Sequence, residues 1–257
     1  APIDNDYGNN LPLRSKEWKT ASNNREFVSI NHTRIDANLI EVVVNFSLNN
    51  IDSYNKLTYL INSKGVLKVK NEFIYRGSLK DAQMPRFGMN FTMPKNYKNI
   101  VWYGRGPHEN YIDRKSSAFV GLYENLVEDL DFEYSRPQEN GYRTDVRWFR
   151  ALNENNIGFE IKGEPLISFS AHYNTIEDFD DGLRPNNPGE KVGTRKRIIK
   201  KQRKPIDVPK RDFISLNIDL KQMGVGGDNS WGARTLPKYT INPGNYTYSF
   251  TISPVNY

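Results

Sequence analysis

The chain has 257 residues, 37% hydrophobic and 12% aromatic, which is enough apolar matter for a buried core and excludes a disordered chain. It has no cysteine, which excludes disulfides, thiolate metal sites and a thiol nucleophile but leaves the compartment open. The net charge of +6 comes from one segment: ten Lys/Arg between Lys191 and Arg211 face one acid, Asp207, giving +9 there and −3 elsewhere.

The start, Ala1-Pro-Ile-Asp-Asn-Asp6, has no initiator Met and no leader pattern, as expected of a processed product or an excised part of a longer chain. A short helix is expected over residues 13–21, with Trp18 inward. Alternation of apolar and polar residues then predicts strands over 38–48, 57–61 and 66–75, with 62–65 as a hairpin turn. Residues 157–162 read as another strand, entered through a turn at 153–156. A second short helix is expected over 175–180, opened by Asn174 or Thr175 as its cap. Residues 183–211 form a basic insertion, read as a solvated arm. It has no aromatic residue to stack on bases, so no nucleic-acid partner is expected, and no stretch reaches the roughly 18 apolar residues of a membrane span. Strands at 213–220 and 246–252 close the chain. Strands at this spacing without a βαβ rhythm predict an all-β fold, a large antiparallel sandwich of two extended sheets with roughly sixteen or more strands.

Three strings are dense in functional residue types. Residues 219–232 hold Gly224, Gly226, Gly227, Asp228, Asn229 and Trp231. Glycines and turn-forming Asp and Asn make a rigid loop that can present an indole for stacking; the same composition also fits a hairpin turn with a core tryptophan. Residues 102–111 offer Arg105, His108, Glu109 and Asn110 on a Gly/Pro-rich loop, fit for sugar binding, for acid/base work or for a packed polar corner. Residues 134–148 hold Arg136, Glu139, Arg143, Asp145 and Arg147, expected to interlock as a charge network, with arginines depressing the Glu139 pKa and making it a poor general acid. His172 joins His108, Glu109 and Glu139 as acid/base candidates. No metal site is expected, because three histidines at these spacings lack the ligand pattern of zinc. No carboxylate pair suggests itself for glycoside hydrolysis.

Seven strings in order carry a resemblance: Ala1-Pro-Ile-Asp-Asn-Asp-Tyr-Gly8, Met84-Pro-Arg-Phe-Gly-Met89, the run from Trp102 to Arg114, Arg136-Pro-Gln-Glu-Asn-Gly141, Thr144-Asp-Val-Arg-Trp148, Phe169-Ser-Ala-His172 and the run from Gln222 to Gly232. Together they closely resemble the C-terminal domain, or small chain, of the large bacterial β-galactosidases of glycoside hydrolase family 2. The resemblance covers residues 1 to about 253 and departs between Asp180 and Arg211, where nothing is transferred. It implies a galactose-mutarotase-like β-supersandwich over residues 1–257, a fold that also allows the alternative of an autonomous aldose-1-epimerase or carbohydrate-binding module, with His108, Glu109, His172 and Glu139 shuffling protons. The catalytic glutamates, and the Mg and Na that the family uses, belong to a separate (β/α)₈ barrel, so no catalytic residue and no cofactor is expected here. The implied partners are that barrel, the other domains of an oligomeric enzyme and the galactoside substrate. The implied role is for Trp231, at the active-site mouth, to stack on the aglycone-side sugar, with Asp228 and Asn229 beside it and Gly226 and Gly227 shaping the loop.

Overall fold

The computed structural model describes residues 1–79, 82–180, 204–229 and 231–256. Eleven antiparallel strands occur among them: β1 (Glu26–Asp36), β2 (Leu39–Leu48), β3 (Ser53–Asn62), β4 (Leu67–Tyr75), β5 (Arg86–Pro94), β6 (Asn99–Gly106), β7 (Phe119–Leu126), β8 (Arg143–Leu152), β9 (Gly158–His172), β10 (Phe213–Gln222) and β11 (Tyr246–Val255). Five short helices accompany them: α1 (Asp4–Gly8), α2 (Leu11–Arg14), α3 (Lys16–Ala21), α4 (Val127–Leu130) and α5 (Ile176–Phe179). The fold is therefore all-β and antiparallel, as the alternation predicts.

The strands form one hydrogen-bonded network in the order β1-β2-β3-β4-β11-β9-β8-β6-β7, with β10 on β9 and β5 on β10. Its organising element is the 15-residue β9. The first half of β9 pairs with β11, from Gly158 opposite Val255 to Glu164 opposite Ser249. Its second half pairs with β10, from Ser168 opposite Asp219 to His172 opposite Ser215. The turn between the halves needs Gly163, where a Cβ would come 2.7 Å from the Pro165 carbonyl oxygen. Two leaves thus leave the same edge of β9 and pack on each other: Phe87 of β5 lies 5.8 Å from Phe73 of β4 and 5.6 Å from Tyr248 of β11, ring to ring. The sandwich comes from one branching sheet, with fewer strands among the described residues than the sixteen expected.

The core is continuous across these layers. Phe149 stacks on Phe169 at 4.5 Å, and Trp102 closes edge-on at 6.0 Å; all three are fully buried. Burial of rings of this size is the dominant stabilising term in such a fold.

The expected helix over 13–21 is two helices, α2 and α3, meeting at Ser15. Trp18 does turn inward, donating Nε1–H to the Ala82 carbonyl at 3.0 Å and packing on Phe73 and Tyr75. At α5, Thr175 is the cap: its Oγ1 accepts from the Asp178 N–H at 3.3 Å. Most of the basic insertion lies outside the described residues. At its end, Arg211 Nε donates to Asp178 at 2.9 Å.

Candidate functional site

The stretch after β10 is a loop pinned at both ends and along one side. Its entry is fixed by the Met223 N–H to the Pro85 carbonyl (2.9 Å) and the Gly224 N–H to the Tyr239 carbonyl (2.8 Å). The Asp113 carboxylate then accepts from two successive amides, Val225 (3.1 Å) and Gly226 (2.6 Å). Gly224 is required at this contact, because a Cβ there would lie 2.5 Å from the Asp113 Cγ. The backbone turns through left-handed geometry at Gly226 and Gly227, with φ of +71° and +111°, which side chains rarely adopt.

Asn229 braces the tip of the loop. Its Oδ1 accepts from the Trp231 N–H (2.9 Å) and the Ala233 N–H (3.2 Å), an Asx turn. The N-terminal segment holds the far side: Asn5 Nδ2 donates to the Asn229 carbonyl (2.6 Å), and Asn5 Oδ1 accepts from the Gly232 N–H (3.3 Å). Gly8 and Gly232 touch backbone to backbone, and a Cβ on Gly232 would come 2.6 Å from the Gly8 carbonyl carbon. Asp228 is exposed beside Asn229. The outcome is an indole on a fixed backbone: Trp231 is 91% exposed. Of the two readings that composition allowed, the core tryptophan is excluded. Asn5 and Asp113 were not singled out as loop anchors in the sequence. Nothing in local periodicity marks them, since their contacts bridge more than a hundred residues.

The alternative set of His108, Glu109, His172 and Glu139 is not gathered at one place. His108 is exposed, its Nε2 3.1 Å from Ser117 Oγ. Glu109 accepts from Arg114, from the Tyr134 hydroxyl and from the Gly141 N–H (2.7 Å). His172 is buried, pairing through Nδ1 with Asp131 and lying edge-on to Phe179. His172 and Glu139 border a void of about 10 Å³ that His108 and Glu109 do not reach.

The expected charge network among Arg136, Glu139, Arg143, Asp145 and Arg147 is also not the one that forms. Arg143 is buried and donates to the carbonyls of Leu130 (2.8 Å), Gly141 (2.8 Å) and Pro107 (3.1 Å). Burial pushes its pKa down to about 10. Asp145 instead pairs with Arg105 and Lys115.

Glu139 faces Arg86 and the Ala1 amine. Burial alone would raise its carboxyl, but the amine and Arg86 outweigh burial and hold it at about 2. Arg86 also reaches Asp219, Nε to Oδ2 at 3.1 Å, while the Tyr142 hydroxyl donates to the same carboxylate at 3.1 Å. Asp219 is fully buried, and burial lifts its carboxyl to about 6 against the pull of Arg86. Among the described residues no group of three His, Cys, Asp or Glu is disposed to hold a metal ion.

The site is thus an all-β scaffold that presents an exposed indole on a loop braced by distant segments of the chain. The family follows from the sequence comparisons. Residues 1–252 match the model of the beta galactosidase small chain, and the chain belongs to that family. It is 33% identical over 99% of its length to a beta-galactosidase of Priestia megaterium, and 27% identical over its whole length to one of Streptococcus thermophilus. It spans only 22% and 23% of the length of those two proteins. Among solved structures it aligns over 90% of its length, and 28% of the other chain, with a GH36 alpha-galactosidase of Geobacillus stearothermophilus (7% identity, TM-score 0.42). It also aligns over 89% of its length, and 69% of the other chain, with an aldose epimerase homologue of C. elegans (9% identity, TM-score 0.39).

Proposed function

We propose that this chain works as the small-chain region of a β-galactosidase of glycoside hydrolase family 2, completing the sugar site of a catalytic barrel that lies elsewhere in the enzyme. Trp231 is the contributing group: its indole stacks on the apolar face of the sugar on the aglycone side. The observation that carries this reading is a 91%-exposed tryptophan on a loop held by Asn5, Asp113 and Asn229. A ring this large is ordinarily buried. Fixing its backbone in advance lowers the entropy cost of using it as a platform.

The chain alone does not hydrolyse galactosides on this reading. Its buried carboxylates are committed: Glu139 and Asp219 share Arg86, and the half-buried Glu109 is tied to Arg114, Tyr134 and Gly141. The test is to assay a chromogenic β-galactoside with this chain, with a barrel-containing fragment lacking this region, and with both. Turnover in the mixture alone supports the proposal. Turnover by this chain alone, abolished by substituting its own carboxylates, refutes it.

A further inference from the structure

Cross-strand register places Ser168, Ser170 and His172 of β9, Ser215, Asn217 and Asp219 of β10, and Gly88 and Asn90 of β5 on one face of their leaf. The opposite face carries Phe169, Ala171, Leu216, Ile218, Met89 and Phe91. The second face is the ordinary core. The first is polar yet buried along β9 and β10, with Ser170 1% exposed, Asn217 3% and Asp219 0%, and exposed at Asn90 of β5. A buried polar sheet face is costly unless its groups are satisfied, so it calls for an explanation.

This face opens into a cleft of about 700 Å³, within the range that small-molecule sites occupy. Gly88, Asn90, Asn217 and Asp219 of this face line it with Arg86, α1 to α3 border it, and Trp18, Tyr59 and Phe73 supply aromatic surface. Six side-chain amides line it: Asn23, Asn55, Asn71, Asn90, Asn217 and Gln222. An amide donates and accepts, which matches a hydroxyl that does the same. The cleft has no excess of cations to attract an anion: Lys19 pairs with Asp180, and Arg86 with Asp219 and Glu139. Two buried polar atoms in the cleft lining have no partner within the chain, Asp219 Oδ1 and Arg86 Nη1. Both are closed off from solvent, Oδ1 lying against Gly88, where a Cβ would come 1.8 Å from it, so the groups a ligand can reach are the amides nearer the opening.

We propose that this cleft is a binding site for a neutral saccharide of one or two rings, held at its hydroxyls by the accessible amides of Asn55 and Asn90 and along an apolar ring face by Trp18 or Tyr59. The site does not depend on the role given to Trp231, although Gly224 and Val225, at the base of that loop, border it.

The test uses D-galactose, D-glucose and lactose as probes against this chain, by saturation-transfer NMR and by intrinsic fluorescence in a Trp231→Phe background, which keeps Trp18 as a reporter. Saturable binding of at least one probe is expected, with Kd on the order of 1 mM or tighter. Asn90→Leu should weaken it tenfold or more; Asn55→Leu, at a half-buried position, is the second variant should the first fail to fold. Trp231→Ala should leave it unchanged. Absence of saturable binding for all three probes would overturn the proposal and leave the cleft to water. Binding that survives both leucine variants but is lost in Trp231→Ala would overturn it by placing the sugar on the loop.

Discussion

Replacing Arg86 by methionine is the sharpest perturbation of the buried polar face. The guanidinium stands between Asp219 (3.1 Å) and Glu139 (3.3 Å). Without it, the buried Asp219 carboxylate keeps only the Tyr142 hydroxyl, while Glu139 keeps the Ala1 amine. Removing one partner of a buried ion pair costs about 3–5 kcal/mol, because the remaining charge stays desolvated. At about 2–4 °C per kcal/mol for a chain of this size, the midpoint should fall by about 6–20 °C. The loss should also depend on pH in a defined sense. Once the cation is gone, burial drives the Asp219 carboxyl further toward the neutral form, so acidification toward pH 5 should recover part of the loss. The assay is urea unfolding of the wild type and Arg86→Met at pH 5 and pH 8, with Arg86→Met/Asp219→Asn as the partial rescue. A loss below about 1 kcal/mol at pH 8, or one equal at both pH values, would refute the reasoning.

In the intact protein, Asp219 has a folded pKa of about 6, raised above the unfolded value. The folded state therefore holds this proton longer, and the Asp219 contribution to stability falls as pH rises from about 4 to about 6. Asp219→Asn should flatten that part of the stability profile, read from thermal midpoints across the range. Gly232→Ala combines a φ of +89° with backbone contact at Gly8. It should release the loop, read as faster hydrogen exchange at residues 224–233. Asp113→Ala strips the acceptor from two amides and should cost about 1–3 kcal/mol of local stability by the same readout. Trp231→Ala should change global stability by less than about 0.5 kcal/mol, measured by urea unfolding, because the ring is exposed.

Strands rich in β-branched and aromatic residues that alternate with polar ones were legible in the sequence: β2, β4, β10 and β11 fall close to the predicted spans, as do the turns at 62–65 and 153–156. The edge strand β1 gave no such signal, since it is exposed along nearly its whole length and its composition does not alternate in step with burial. The run from Trp102 to Gly106 reads as a loop because of its glycines, yet it is β6. There Gly104 gives room to Val146, which a Cβ would approach to 2.8 Å, and so marks close approach of strands and not a turn. Arg143 was misread for a related reason: sequence shows a charge beside other charges, while the fold turns it inward onto three carbonyls. The exposed indole could be named from the string around Trp231, but its anchors at Asn5 and Asp113 arise only when the chain closes on itself.

The most direct measurement of the central claim is kcat/KM of the complemented enzyme for lactose and for methyl β-galactoside, with wild-type Trp231 and with Trp231→Ala. Loss of a stacking platform worth about 1.5–3 kcal/mol lowers kcat/KM for lactose roughly ten- to a hundredfold, and less for the methyl glycoside, which has no second ring to stack. Equal values for wild type and variant on lactose would contradict the account and leave Trp231 as surface only.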